Sequence, residues 1–332
     1  MVPGYISVND ARASQADMLE RAIGHIAAEV HGAEARLRGP GPIFLGIGAS
    51  YAAAGSAVWT LRSRGIEALR LNAGEQPIPF PISRHPVIGV SQSGRSTETL
   101  AVLSALDPAQ RMAVVNVAPS PIADMAAVAI SLGNIADSYA STIGYTATIA
   151  ALGMIAEAWD GGALDPAWSQ LAVAFRVLEA SMKARGPALA AKIASATSVD
   201  YAAAAPSIGS AEVGALLLRE IARIPASGYS TRQYLHGAME SAGQTAHVLA
   251  GGEREIGVAH TLARAGHECI LITTLDVSEE ARLAVIRLPD VSATQRTILE
   301  ALVMQCLAVE TAGQRGVDPD AFVFFHTDTK VA

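Results

Sequence analysis

The sequence predicts an α/β protein built as two doubly wound parallel-sheet domains in tandem. Three observations carry that reading. The chain of 332 residues is too long for one small core and suits two domains of ordinary size. Hydrophobic residues make up 51% and charged residues 17%, which suits buried parallel strands covered by helices and not a disordered chain. Short apolar runs alternate with helical stretches through both halves.

The elements follow in order. Residues 14–36 read as an amphipathic opening helix. An apolar run at 42–46 reads as a strand, followed by a Gly-rich break, Gly46-Ile47-Gly48-Ala49-Ser50, and an Ala-rich helix to Arg64. The plan repeats with a strand at 86–90, a polar turn at 91–97 and a helix at 98–106. Strands at 112–117 and 127–132 and a helix at 142–159 complete the first half. A helical connection at 163–195 leads to a second apolar run at 199–205. Then come a helix at 212–224, strands at 245–250, 269–273 and 284–288, and helices at 253–265 and 292–314. The predicted organisation is an N-terminal helical segment 1–36, a first domain 37–160, a connection 161–195, and a second domain with a C-terminal tail, 196–332. No exact internal repeat is present.

Charge and composition narrow the function. The net charge is −7 and no Lys/Arg cluster occurs, so the basic footprint of a nucleic-acid partner is missing. An anionic ligand must therefore be held by local donors and not by long-range attraction. The first twelve residues carry no apolar signal core and no apolar run is long enough to span a bilayer, so no membrane partner and a cytoplasmic location are expected. Cys269 and Cys306 lie in apolar surroundings and read as buried free thiols with no metal-ligand spacing. The pair Gly46-x-Gly48 lacks a third glycine, and no Walker-type Gly-Lys-Ser/Thr is present, so no cofactor and no metal are expected.

Two constellations carry chemistry. In the first, Ser91-Gln92-Ser93-Gly94-Arg95-Ser96-Thr97 stands between a buried strand and a helix, where open α/β sheets bind ligands. Hydroxyls, an amide and backbone N–H groups, with the positive end of the helix dipole, suit a phosphate. Each hydrogen bond to a charged group contributes about 1.5–3 kcal/mol. Arg95 at a helix start costs about 0.3–1 kcal/mol against the dipole, a cost that a bound phosphate would offset. A serine-rich capping turn with a solvated arginine has the same composition. In the second, Glu220 lies on a helix with an apolar face, and His236 follows in Tyr234-Leu235-His236-Gly237. A carboxylate of raised pKa and an imidazole can move a proton between neighbouring sugar carbons and help a ring open. The spacing alone equally fits a solvated helix residue and a turn residue.

The loops at 46–50 and 91–96 resemble the two signature loops of the sugar isomerase (SIS) family, and Ala140-Ser141-Thr142 resembles its third first-domain loop. The likeness runs from about residue 14 to 331 and extends to the isomerase portion of the glutamine–fructose-6-phosphate aminotransferases. It implies two flavodoxin-like, SIS-type domains, with Ser50, Ser91, Gln92, Ser93 and Ser96 on the phosphate and Ser141 near the sugar. Residues 215–237 resemble the family pattern Ala-Leu-Lys-Leu-Lys-Glu…Tyr…Lys-His-Gly, with Glu220, Tyr229, His236 and Gly237 on matching positions. By that resemblance Glu220 is the proton-shuttling base. His236 assists ring opening from a neighbouring subunit, which implies a homodimer. Departures are Ala49 for Thr, Arg95 for Glu, Leu217 and Arg219 for the two lysines, and 203–207 in place of a Gly-Arg-Gly turn.

The segment Arg315-Gly316-Val317-Asp318-Pro319-Asp320 resembles the motif after the family's last helix, beyond which a tail presents a lysine. Thr327 stands at that lysine's place, leaving Lys330 and His326 as tail candidates beside a plain terminal strand with a solvated lysine. The resemblance implies an enzyme that isomerises or deaminates a ketose or amino-sugar 6-phosphate of the glucosamine 6-phosphate or fructose 6-phosphate type. Alternatives are a fructosamine-6-phosphate deglycase, which does not need the missing lysines, and a non-catalytic sugar-phosphate sensor. No N-terminal glutaminase precedes the resembling part, so the chain is not expected to draw ammonia from glutamine.

Overall fold

A computed structural model describes residues 4–243, 245–324 and 328–331. The chain divides into two compact units: Met1–Ala172 with Val323–Ala332, and Val173–Phe322. His326 and Thr327 lie outside the described residues.

Unit 1 runs α1 (Val8–Ala33), β1 (Ile43–Gly46), α2 (Ala49–Ser63), β2 (Leu69–Asn72), β3 (Val87–Ser91), α3 (Thr97–Ser104), β4 (Arg111–Val115), α4 (Pro121–Met125), β5 (Val128–Ser131) and α5 (Ile143–Ala158). The opening helix starts six residues earlier than its apolar pattern suggests. Ser7 caps it by accepting from the Asp10 amide at 3.1 Å, and Asp10 places a negative charge in the first turn. The strands form one parallel sheet in the order β2-β1-β3-β4-β5. Ile43, Leu45, Val87, Ala113 and Val115 join Val102 and Leu103 of α3 and Ile122 of α4 in one cluster, which covers one face. Helices α2 and α5 pack against the sheet and each other, and α1 packs on α5. All of α5 except Glu157 is buried, which explains why its apolar residues run right round the helix.

The long helix α6 (Trp168–Ala194) leads on to β6 (Ser198–Ala203), α7 (Ile208–Leu217), β7 (Ala226–Ser230), α8 (Thr231–Leu235), β8 (Thr245–Ala250), α9 (Glu253–Arg264), β9 (Cys269–Thr273), β10 (Leu283–Arg287) and α10 (Ala293–Gln314). This sheet is also parallel, in the order β10-β9-β8-β6-β7. Both sheets therefore obey the flavodoxin-like order 2-1-3-4-5 when each is counted from its own first strand. The fold repeats although the sequence does not. Val258, Ala259 and Leu262 of α9 pack with Leu249, Leu271 and Leu283 in one cluster. Helix α7 packs with α10 and with β6.

Strands β2 and β7 are not apparent from the sequence. Leu-Arg-Leu-Asn and Ala-Ser-Gly-Tyr-Ser lack the apolar run of a central strand, because each is an edge strand and mostly half-buried. Gly228 shows why β7 is so poor in side chains: a Cβ there would fall 2.7 Å from the Ala211 carbonyl oxygen and 2.8 Å from the Glu212 Cα. Among the described residues no helix is long and apolar enough to cross a membrane. Both cysteines are buried and neither is in a disulfide. Replacing Gly228→Ala should force α7 and β7 apart and lower stability by about 1–3 kcal/mol. A urea unfolding curve superimposable on that of the wild type would contradict this packing.

Candidate functional site

The register Ile43↔Val87 through Leu45↔Gly89 sets the carboxyl ends of β1 and β3 side by side, at the point where the strand order reverses. In such sheets this is where ligands bind. The loop after β1 turns at Gly48, whose φ of 57° and ψ of −128° only glycine adopts without strain, and places Ser50 in the first turn of α2.

The loop after β3 is held mostly by its own hydroxyls. Ser91 Oγ accepts from the Gly94 amide at 3.1 Å and shares a hydrogen bond with Ser96 Oγ at 3.1 Å. Ser93 Oγ accepts from the Arg95 amide at 3.3 Å. Gly94 has φ of 63°, and a Cβ on it would fall 2.0 Å from Ser120 Oγ, so the turn closes tightly on α4. The Gln92 side chain fills the space beside Gly144, and its Oε1 is buried with no hydrogen-bond partner among the described residues.

The third loop is organised by Asp137, a buried carboxylate that the sequence reading overlooked. Its two oxygens accept from the amides of Ser138, Thr142, Ile143 and Gly144 at 2.9–3.1 Å. They also accept from Thr142 Oγ1 at 2.7 Å and Ser141 Oγ at 3.2 Å. The carboxylate thus caps the amino end of α5. A dense run of Asp, Ser and Thr ahead of an apolar helix was the signal that could have revealed it.

These loops enclose a cavity of about 450 Å³. Ser50, Ser91, Gln92, Ser93, Ser96 and Ser141 all line it, so it gathers the six hydroxyl and amide candidates. Lys330 lines it too. The tail reaches it by pairing with the start of α3: Ser96 bridges Lys330, the Thr97 amide donates to the Thr329 carbonyl at 3.2 Å, and the Val331 amide donates to the Arg95 carbonyl at 3.0 Å. Thr97 Oγ1 donates to the Asp328 carbonyl at 2.9 Å. Arg95 does not line the cavity. A second, smaller cavity of about 100 Å³ is lined by Ala49 and Tyr145 together with Ser50, Gln92 and Ser141.

In unit 2, α7 continues into a π-helical turn, Leu218–Ala222, that ends at Arg223 in the left-handed conformation. π-turns of this kind occur often at functional sites. Glu220 lies in it, and burial pushes its carboxyl up to about 7. No hydrogen bond or ion pair of its side chain relieves that burial among the described residues. The neighbouring Arg219 is spent elsewhere, donating to the Ala226 carbonyl at 2.6 Å. Leu217 is 2% exposed, so the position of a family lysine is core here.

His236 is exposed at the C-terminal end of α8. That short helix is anchored by Tyr234, whose hydroxyl donates to Asp200 at 3.3 Å and meets His247 Nδ1 at 3.1 Å. Burial raises the Asp200 carboxyl and lowers His247 to about 4, so this histidine is neutral near pH 7. No signal in the sequence linked these three residues. Tyr229 packs on Tyr234 with centroids 5.5 Å apart. Among the described residues no group of His, Cys, Asp or Glu could hold a metal ion.

No protein-family model matches the chain. Curated relatives do. A glutamine–fructose-6-phosphate aminotransferase (isomerizing) of Brucella abortus is 32% identical over 264 residues, covering 73% of this chain and 43% of that protein. The protein of that name from Gluconobacter oxydans is 30% identical over 255 residues, covering 70% and 41%. This chain has the sugar isomerase (SIS) fold. It spans less than half the length of the curated relatives it matches and is similar to their isomerase portion. Solved SIS structures share the fold at lower identity. The C-terminal domain of glucosamine-fructose-6-phosphate aminotransferase from Francisella tularensis superposes with a TM-score of 0.80 at 17% identity, covering 96% of this chain and 99% of that one. Glucosamine-6-phosphate deaminase from Thermotoga maritima gives 0.77 at 17%, covering 96% and 98%.

In this SIS chain the Asp137 cap is the keystone of the third loop. Removing it strands the buried amides of Thr142, Ile143 and Gly144, and each unmade bond costs about 1–3 kcal/mol. Asp137→Ala is expected to cost about 3 kcal/mol or more in urea unfolding. An unchanged midpoint would show that those amides find other partners.

Proposed function

We propose that this chain is a phosphosugar enzyme that acts on a ketose or amino-sugar 6-phosphate. Unit 1 holds the phosphate through Ser50, Ser91, Gln92, Ser93 and Ser96, with Lys330 as the nearby cation. Ser141 contacts the sugar. Glu220 is the base that moves a proton between C1 and C2 of the open-chain sugar, and His236 helps the ring open. In the deaminase form of the reaction, glucosamine 6-phosphate and water give fructose 6-phosphate and ammonia. His236 acts from a second copy of the chain in a homodimer.

The observation that carries this reading is Glu220. A carboxylate poised near 7 is matched to general-base work at neutral pH, whereas a solvated helix glutamate would ionise near 4.3. The cluster of hydroxyls at the switch point of the first sheet supports the phosphate half of the proposal. A second reading, a fructosamine-6-phosphate deglycase, is favoured by Leu217, which puts an apolar core residue where the aminotransferase pattern has a lysine. Both readings use the same base.

The test offers the protein glucosamine 6-phosphate and, separately, a fructosyl-amino-acid 6-phosphate. Ammonia marks the deaminase and free amino acid marks the deglycase. With the active substrate, Glu220→Gln should lose about 10²–10⁴-fold in turnover. Because the ionised carboxylate is the active form, kcat/KM should fall as pH drops through about 7. Full turnover by Glu220→Gln, or a flat profile between pH 5.5 and 8.5, would remove Glu220 as the base. Ligand-induced thermal stabilisation without any turnover would leave a sensor.

A further inference from the structure

The phosphate-loop cavity has a second wall made of aromatic rings. Tyr5 and Tyr139 both line it, and their ring centroids lie 4.5 Å apart with planes tilted by 41°. The N-terminal segment is fixed there by backbone pairing. Tyr5 bridges Asp137, the Ile6 amide donates to the Asp137 carbonyl at 3.1 Å, and the Asp137 amide donates to the Gly4 carbonyl at 3.0 Å. One residue, Asp137, therefore holds two features of the cavity: its side chain orders the Ser141 loop and its backbone docks Tyr5. Tyr139 remains 49% exposed although its ring packs on Tyr5.

Three polar residues beside the rings, Asn116, Asn134 and Asp137, are already engaged. Asn116 spends its amide on Ile135, donating to its carbonyl and accepting from its amide, both at 2.8 Å. Asn134 does the same to Ala118, at 3.0 Å each way. Asp137 is saturated by donors. What this side offers is ring surface. Aromatic faces favour apolar or aromatic groups in offset or tilted contact. At about 450 Å³ the cavity falls within the range of about 300–1,000 Å³ that whole small ligands occupy, well beyond the needs of a phosphate.

We infer that Tyr5 and Tyr139 form a subsite for a substituent carried by the sugar phosphate, and that the preferred ligands are amino-sugar 6-phosphates whose nitrogen bears an apolar or aromatic group. The inference rests on the phosphate reading of the same cavity. It makes Tyr139 a specificity determinant for the substituent, separable from the anchoring of the phosphate.

Calorimetric titration of the full chain separates them. The probes are fructose 6-phosphate, fructosyl-glycine 6-phosphate and fructosyl-phenylalanine 6-phosphate. The phenylalanine conjugate should bind about tenfold tighter than the glycine conjugate. Tyr139→Ala should erase that difference and leave the affinity for fructose 6-phosphate within about twofold, whereas Tyr139→Phe should keep it. Equal affinities for the two conjugates in the wild type would overturn the subsite while leaving the phosphate reading intact. So would a Tyr139→Ala loss common to all three probes, because the ring would then serve the sugar itself. If none of the probes binds, the phosphate reading fails and the subsite goes with it.

Discussion

The carboxylate of Asp137 occupies the amino end of α5, and on the proposed reading that single arrangement sets where the first unit receives an anion. Four backbone amides and two hydroxyls converge on it. A helix start of this kind would otherwise be an anion site in its own right. Because the protein fills it with its own charge, the donors left for a ligand are those of the β1 and β3 loops. There, among the described residues, the hydroxyls of Ser91, Ser93 and Ser96 bond with one another and with nearby loop amides. Such short-range bonds can be exchanged for bonds to a phosphate without unfolding the loop. The chain as a whole is negative, so Lys330, brought in by the tail, supplies the local positive charge at that cavity.

The second unit uses the same sheet order for a different purpose. In the proposed reaction its part falls to one buried carboxylate and not to a cluster of donors. Glu220 holds its proton to about 7, whereas the unfolded chain releases it near 4.3. Ionising it in the folded state therefore works against the fold. The folded state binds the extra proton between those two values, so stability falls as pH rises through that window, by on the order of 3 kcal/mol. Its burial, in a π-turn that departs from regular helix, supports the proposed role in proton transfer.

Much of this was legible in the sequence, for identifiable reasons. Central parallel strands are buried on both faces and appear as plain apolar runs, so β1, β3, β4, β6, β8 and β9 stood out. The edge strands β2 and β7 did not, because their composition answers to neighbours such as the α7 backbone against Gly228. The serine-rich loop was visible because its donors are contiguous. Asp137 was not, because its meaning depends on a helix start six residues away and on backbone pairing with Gly4 and Ile6. The route of Lys330 to Ser96 crosses more than two hundred residues of sequence, and no local pattern encodes it. The π-turn at Glu220 is likewise a product of packing, since Leu-Arg-Glu-Ile-Ala reads as ordinary helix.

The most direct test is a crystal structure of the chain with fructose 6-phosphate. The account predicts the phosphorus atom in the cup of Ser50, Ser91, Ser93 and Ser96, within hydrogen-bonding reach of their hydroxyls and with Lys330 alongside. A phosphate bound anywhere else, with that cup filled only by water, would contradict it.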